Sequence, residues 1–130
     1  MVAPGIAVAL AMLGACGGGD AKKTPTTLPS SFRRADVEMR DFSFNPTSFD
    51  APKGRPYNIT ATNSGSTRHT FNVYKDSAFS VPLSPDSHIE VAPSTAEGLF
   101  VKFDDATTYY YRCEIHPQQM QGQIHVKESF

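Results

Sequence analysis

The chain has 130 residues, a formal net charge of −1 at pH 7, 9 Phe, 5 Tyr and no Trp. This length allows one domain plus a terminal extension, and two cysteines are too few for a disulfide scaffold. Because no basic run is interleaved with aromatic residues, the composition argues against nucleic acid as a partner.

The N-terminal segment has the character of a secretion leader. Residues 6–13 form an apolar run that is too short to span a bilayer and suits the hydrophobic region of a signal peptide. The run ends in Leu13-Gly14-Ala15-Cys16, which resembles the lipobox of bacterial lipoproteins, although no Lys or Arg precedes it. The resemblance implies a signal peptide over residues 1–16, a lipid on Cys16 and attachment to a membrane. An ordinary signal peptide with a coincidental cysteine is the alternative.

Residues 17–34 are predicted to be a flexible linker, because Gly17-Gly18-Gly19 is followed by Lys, Thr, Pro and Ser residues. A domain is then expected over residues 35–130. It carries 8 Lys or Arg against 12 Asp or Glu, which gives a net charge of −4. This mild acidity favours a basic or neutral partner surface.

Short strands are predicted throughout the domain, because apolar residues alternate with polar ones between turn signals. Phe42 and Phe44 are out of phase with Val37 and Met39, which indicates a bulge or a strand switch near residues 40–41. With about seven or eight strands and no convincing amphipathic helix, the pattern predicts an all-β antiparallel sandwich. The expected strands are 37–40, 48–51, 57–62, 69–73, 88–91, 99–103, 109–113 and 124–126.

Residues 109–124 contain a cluster of potential metal ligands. Cys113 and His116 lie at the two ends of a Cys-x-x-His turn, and Met120 follows in the same loop. A lone cysteine on an apolar strand is more often a small buried hydrophobic residue. A thiolate, two imidazoles and a weak thioether, however, are the ligand set of a blue-copper electron-transfer site. His69, at the start of another predicted strand, is placed to supply the second imidazole.

Over most of residues 37–126 the sequence resembles the cupredoxins, in particular their small plastocyanin- and amicyanin-like members. The resemblance is carried by the strand pair 57–63 and 69–73 around a Gly-containing turn. It is also carried by the closing loop Cys113-x-x-His116-Pro117…Met120-x-Gly122-x-Ile124. It implies a Greek-key β-sandwich with one type 1 copper ion at one end. The ligands that it implies are His69, Cys113, His116 and Met120.

Further expectations concern the surroundings of these ligands. The resemblance implies that the N–H of Thr70 donates to the Cys113 sulfur, and that His116 exposes its ring edge as the electron port. Plastocyanin has a tyrosine directly before the ligand cysteine, where this chain has Arg112, so that docking route is not expected here. Glu114 is expected to be solvated. The two remaining histidines, His88 and His125, are expected to be exposed.

Together these features predict a monomeric protein outside the cytoplasm that shuttles single electrons between redox proteins and is not an enzyme by itself. A copper storage or delivery protein at the cell surface is the alternative, since the same residues would bind copper. The lack of Met-rich or His-rich tracts elsewhere in the sequence favours electron transfer. A sandwich domain with a vacant site is a third reading.

Overall fold

A computed structural model describes residues 34–128, so the predicted leader, Cys16 and nearly all of the predicted linker lie outside the described residues. In the described part of the chain, no helix has the length and apolar character needed to cross a membrane. The residues that are described form nine strands: β1 (Arg34–Arg40), β2 (Ser43–Asn45), β3 (Ser48–Pro52), β4 (Pro56–Asn63), β5 (His69–Tyr74), β6 (His88–Val91), β7 (Ala96–Lys102), β8 (Thr108–Arg112) and β9 (Gln121–Lys127).

The strands are arranged in two sheets, with orders β2-β1-β4-β7 and β3-β9-β8-β5-β6. Apolar residues from both sheets form one buried core, so the predicted β-sandwich is confirmed. The sheets are mixed rather than purely antiparallel, because β1 pairs with β4 and β3 pairs with β9 in parallel. Alternation of apolar and polar residues has the same period in both pairings, so the sequence pattern does not reveal strand direction.

The predicted phase change after β1 is a turn between two paired strands. β1 ends at Arg40 and β2 begins at Ser43, with Phe44 buried and Phe42 half exposed. The backbone of Phe42 has a φ of 72°, in the left-handed region that non-glycine residues rarely adopt. The turn therefore reverses the chain, and the alternation of buried residues in β2 is shifted by one residue from that in β1.

The core is centred on Tyr111 of β8. Its ring stacks on Phe71 with the centroids 4.7 Å apart, and its hydroxyl donates a hydrogen bond of 2.8 Å to the carbonyl oxygen of Pro46. Burial raises the pKa of Tyr111 above its usual value. Gly122 lies opposite Tyr111 in the β8–β9 register, and a Cβ at this position would come within 2.2 Å of the tyrosine ring. A glycine is thus required where the ring crosses β9.

Three neighbouring strands end at the same edge of the five-stranded sheet. His69 is the first residue of β5, Cys113 directly follows the last residue of β8, and Met120 directly precedes β9. Because β8 lies between β5 and β9 and is antiparallel to both, these three positions are brought together. The fold thus brings three of the four predicted copper ligands to one edge from distant parts of the sequence.

We predict that Tyr111→Phe destabilises the protein by about 1–3 kcal/mol, because the carbonyl oxygen of Pro46 loses its buried hydrogen-bond donor. Urea unfolding of the metal-free protein measures this change. Tyr110→Phe, on the other face of β8, is the control and should change the free energy of unfolding by less than about 0.5 kcal/mol. Equal losses in the two variants would contradict the assignment of Tyr111 as the anchor of the core.

Candidate metal centre

Three potential metal ligands converge at this edge of the sheet. The ligand atoms of His69, Cys113 and His116 all lie within 4.8 Å of one another. The Cys113 Sγ is 3.9 Å from Nδ1 of His69 and 3.8 Å from Nδ1 of His116, so both imidazoles turn the same nitrogen toward the thiol. The structure therefore brings together the three strongest ligands that the sequence predicts.

The spacing of these atoms fits a single metal ion. An ion with bonds of about 2.3 Å to sulfur and about 2.0 Å to nitrogen separates the two donors by about 3.7 Å in a trigonal arrangement. The two observed separations are close to this value. A soft thiolate with two imidazoles is also the donor set that copper accepts in blue-copper sites. The residues present thus fit copper in chemistry and in spacing.

The thiol of Cys113 is buried and receives one backbone hydrogen bond. Its side chain has no exposed surface, and the N–H of Thr70 lies 3.3 Å from the sulfur, as the resemblance implied. The hydroxyl of Thr70 accepts a bond of 2.8 Å from the N–H of Glu114, which ties β5 to the residue after the cysteine. Such contacts around a ligand orient it and tune the metal that it binds.

Met120 is fully buried at the end of the loop that carries His116. Its N–H donates to the carbonyl oxygen of His116 over 3.1 Å, and its own carbonyl oxygen accepts from the N–H of Cys113 over 3.0 Å. Gln118 and Gln119 are exposed. The backbone thus closes the loop on itself and points the thioether, not the amides, into the protein.

Asp41 contacts one of the clustered histidines, and the sequence did not predict this contact. Its Oδ1 lies 3.3 Å from Nε2 of His69, on the side of the ring away from the thiol. Hydrogen bonds from Ser66 and Thr67 hold the pKa of Asp41 well below its usual value. Burial lowers the pKa of His69, and the hydrogen bond to Asp41 opposes this effect. Nothing local marked Asp41, because it is 28 residues from His69 in sequence and its own segment predicted only a change of phase.

The residues on either side of Cys113 bind each other on the outside of the sheet. Glu114 accepts hydrogen bonds from Nε of Arg112 over 3.0 Å and from the hydroxyl of Tyr74. The guanidinium of Arg112 lies 4.5 Å from the centre of the Phe79 ring. Glu114 is exposed, as expected, and its carboxylate is engaged in these contacts.

The other histidines take no part in the cluster. His88 is exposed, as expected, whereas His125 is half-buried, with Nδ1 3.4 Å from the hydroxyl oxygen of Thr108. His116 is half-buried as well, and the ring of Phe42 covers part of it. The predicted exposure of His125 is therefore only partial.

Comparison with known proteins places this fold. A family model described as a cupredoxin-like domain matches residues 5–126. The structure is similar to reduced auracyanin from the photosynthetic bacterium Roseiflexus castenholzii (15% identity, 72% of this chain and 96% of that chain, TM-score 0.64). It is also similar to a purple cupredoxin from Nitrosopumilus maritimus (18% identity, 72% and 99%, TM-score 0.55) and to a reduced amicyanin variant (20% identity, 72% and 82%, TM-score 0.53). No curated protein sequence matches significantly.

Proposed function

The chain belongs to the cupredoxin-like family, and we propose that it is a type 1 copper protein that carries single electrons between redox proteins. Members of this family are generally electron-transfer copper proteins. The observation that carries the proposal is the buried Cys113 thiol with an imidazole Nδ1 on each side, at 3.9 and 3.8 Å. We propose His69, Cys113 and His116 as the copper ligands and Met120 as the axial ligand.

Copper would supply a one-electron couple, and both oxidation states tolerate a trigonal His₂Cys set with a weak axial donor. The chain supplies metal ligands that are shielded from water and held in fixed positions. His69, Cys113 and Met120 have no exposed surface, so water is excluded from most of the site. Because the donors lie at the ends of hydrogen-bonded strands or in a closed loop, they are held in one arrangement. Little reorganisation between oxidation states is what electron transfer requires.

This arrangement favours an electron carrier over an enzyme. Catalytic metal sites keep a position open for substrate or water. Here two of the three clustered donors are fully buried, and so is the thioether of Met120. We therefore propose that the protein is not an enzyme by itself. We also propose that it acts as a monomer and that its partners are redox proteins.

We also propose that the protein acts outside the cytoplasm, attached to a membrane through a lipid on Cys16. The support is the Leu13-Gly14-Ala15-Cys16 sequence and the Gly-rich segment that follows it. Cys16 lies outside the described residues. A tether of about 18 residues with this composition would span roughly 20–25 Å on average, which leaves the domain free to turn toward its partners.

The first test is the visible spectrum after addition of Cu(II). We expect one copper per chain and an intense visible band, because a thiolate ligand transfers charge to Cu(II). Cys113→Ser should abolish this band, whereas Cys16→Ser, which removes the other cysteine, should retain it. A coloured Cys113→Ser variant, or a wild-type protein that never colours, would falsify the copper–thiolate assignment.

A second measurement separates an electron carrier from a copper carrier. Fast, reversible electron exchange in voltammetry, together with slow loss of copper to a chelator, indicates an electron carrier. Ready donation of copper indicates storage or delivery.

We predict that Met120→Leu raises the reduction potential and that Met120→Gln lowers it. Loss of the thioether costs the oxidised form more than the reduced form, and an amide oxygen favours Cu(II). Copper retention should change little, because the axial bond is long and weak. Voltammetry on both variants measures the shifts, with Gln118→Ala and Gln119→Ala as controls. If a glutamine control moves the potential while both Met120 variants leave it unchanged, that glutamine is the axial ligand.

We predict that wild-type protein fractionates with membranes when it is expressed in a bacterium that processes lipoproteins, and that Cys16→Ala becomes soluble. The reason is that lipidation of this cysteine would be the attachment. Mass spectrometry of the N-terminus checks the modification directly. Wild-type protein that is wholly soluble with an unmodified Cys16 would end the anchor hypothesis and leave the copper assignment untouched.

A further inference from the structure

The turn between β1 and β2 contacts both histidines of the site with two consecutive residues. The carboxylate of Asp41 lies 3.3 Å from Nε2 of His69. The ring of Phe42 meets the His116 ring edge to face, with centroids 4.8 Å apart and an interplanar angle of 79°. We propose that this turn, residues 41–42, is a positioning element that fixes both imidazoles for copper and lowers the reduction potential through the charge of Asp41. The proposal rests on the copper function above and deepens it.

The carboxylate of Asp41 is fixed in place before it reaches His69. It accepts hydrogen bonds from the backbone N–H of Ser66 at 2.9 Å and of Thr67 at 3.2 Å, and from both of their hydroxyls. Gly65 lies directly against it, since a Cβ at Gly65 would fall 2.3 Å from Oδ1. The turn before β5 therefore holds this carboxylate in a fixed position beside His69.

This contact selects which nitrogen of His69 remains free for a metal. A carboxylate only accepts hydrogen bonds, and a neutral imidazole has a single N–H, so that N–H is placed on Nε2. The lone pair of Nδ1 then faces the Cys113 sulfur, 3.9 Å away. Carboxylates that accept from ligand histidines in this way fix the tautomer and the ring orientation, and they raise the basicity of the ligand.

Phe42 is the second residue of the two-residue turn between Arg40 and Ser43, and its ring lies against His116. The tight turn accounts for its φ of 72°. This φ is costly for a bulky residue, and Phe42 is half exposed, so neither the turn nor core packing requires a phenylalanine at this position. Strained backbone of this kind persists where the surrounding structure holds it, and it clusters at functional sites. In this conformation the phenyl ring lies against His116, which sits on a loop and lacks the strand contacts that hold His69.

Asp41 and Phe42 affect the proposed copper site in different ways. Asp41 puts a negative charge behind a ligand, which stabilises the more highly charged oxidised site and lowers the potential. Because Asp41 is partly exposed, solvent screens part of this charge. Phe42 carries no charge, and its ring against His116 restricts the motion of the imidazole and shields part of it from water.

The first test uses the metal-free full chain and nitrogen-15 NMR of the histidines at about pH 7.5, where a histidine of ordinary pKa is neutral. Wild-type His69 should be a single tautomer with its proton on Nε2. Asp41→Asn should give a mixture of tautomers, because an amide can donate as well as accept. Asp76→Asn is the matched control, since Asp76 accepts from the N–H groups of Ser80 and Val81 in a loop outside the ligand cluster. A mixture in the wild-type protein would overturn the proposal even if the variant failed to fold.

The second test uses the copper-loaded protein. Asp41→Asn should shift the redox equilibrium toward the reduced form by about tenfold, or about 59 mV for a one-electron couple. Asp76→Asn should leave the potential unchanged. Equal potentials in these two variants would overturn the role assigned to the charge.

Phe42→Leu tests the contact with His116. In the metal-free chain we expect the His116 ring signals to broaden as the ring becomes mobile, and in the loaded chain we expect faster release of copper to a chelator. Phe100→Leu is the control, because Phe100, at 74%, is the most exposed large apolar side chain among residues 34–128. If Phe42→Leu behaves as Phe100→Leu does in both measurements, the proposal fails for His116. The metal-free measurements do not depend on copper, so they remain decisive if the copper assignment itself is wrong.

Discussion

The site depends on the pairing of β5 with β8, which fixes the surroundings of the Cys113 sulfur. Asn72 pairs with Arg112, and continuing that antiparallel register by two residues sets Thr70 opposite Glu114. The backbone N–H of Thr70 thus reaches the sulfur, and its hydroxyl accepts from Glu114. A slip of one residue would turn every side chain of β5 to the other face of the sheet. One register therefore places both His69, the proposed ligand before Thr70, and the donor to the thiol.

Alternation of apolar and polar residues was sufficient to predict most strands, and the motif of potential ligands in the closing loop was sufficient to indicate the family. Tyr57, Ile59 and Ala61 are buried as their spacing predicts, and so are Tyr109 and Tyr111. The family resemblance was confirmed by a match over residues 5–126. Its ligand spacing also identified the three donors that the fold brings together. The signals that succeeded are local in sequence, or are repeated along one strand.

The features that the sequence did not reveal depend on contacts between distant segments. The parallel pairing of β1 with β4 leaves no mark in either strand, because pleat and side-chain alternation are the same in both directions. Asp41 looked like an ordinary turn residue until the fold placed it behind His69. The ion pair of Arg112 with Glu114 is local in sequence, and it was missed because Glu114 was expected only to be solvated.

A protein that carries electrons, as we propose for this chain, has to keep water away from its metal ligands and still bring one of them near a partner. In the described part of the chain, different segments meet these two requirements. Strand ends and the closing loop hold His69, Cys113 and Met120 without exposed surface, while His116 is half-buried on the loop. Pro117, directly after it, restricts its own φ and thereby stiffens that loop. Because His116 lies on a loop, it is more accessible than the residues at strand ends but less firmly held. The ring of Phe42, from the turn between β1 and β2, packs against it and limits its motion. The accessible residue and the residues that hold it in place thus come from different segments, which the fold brings together at the proposed metal site.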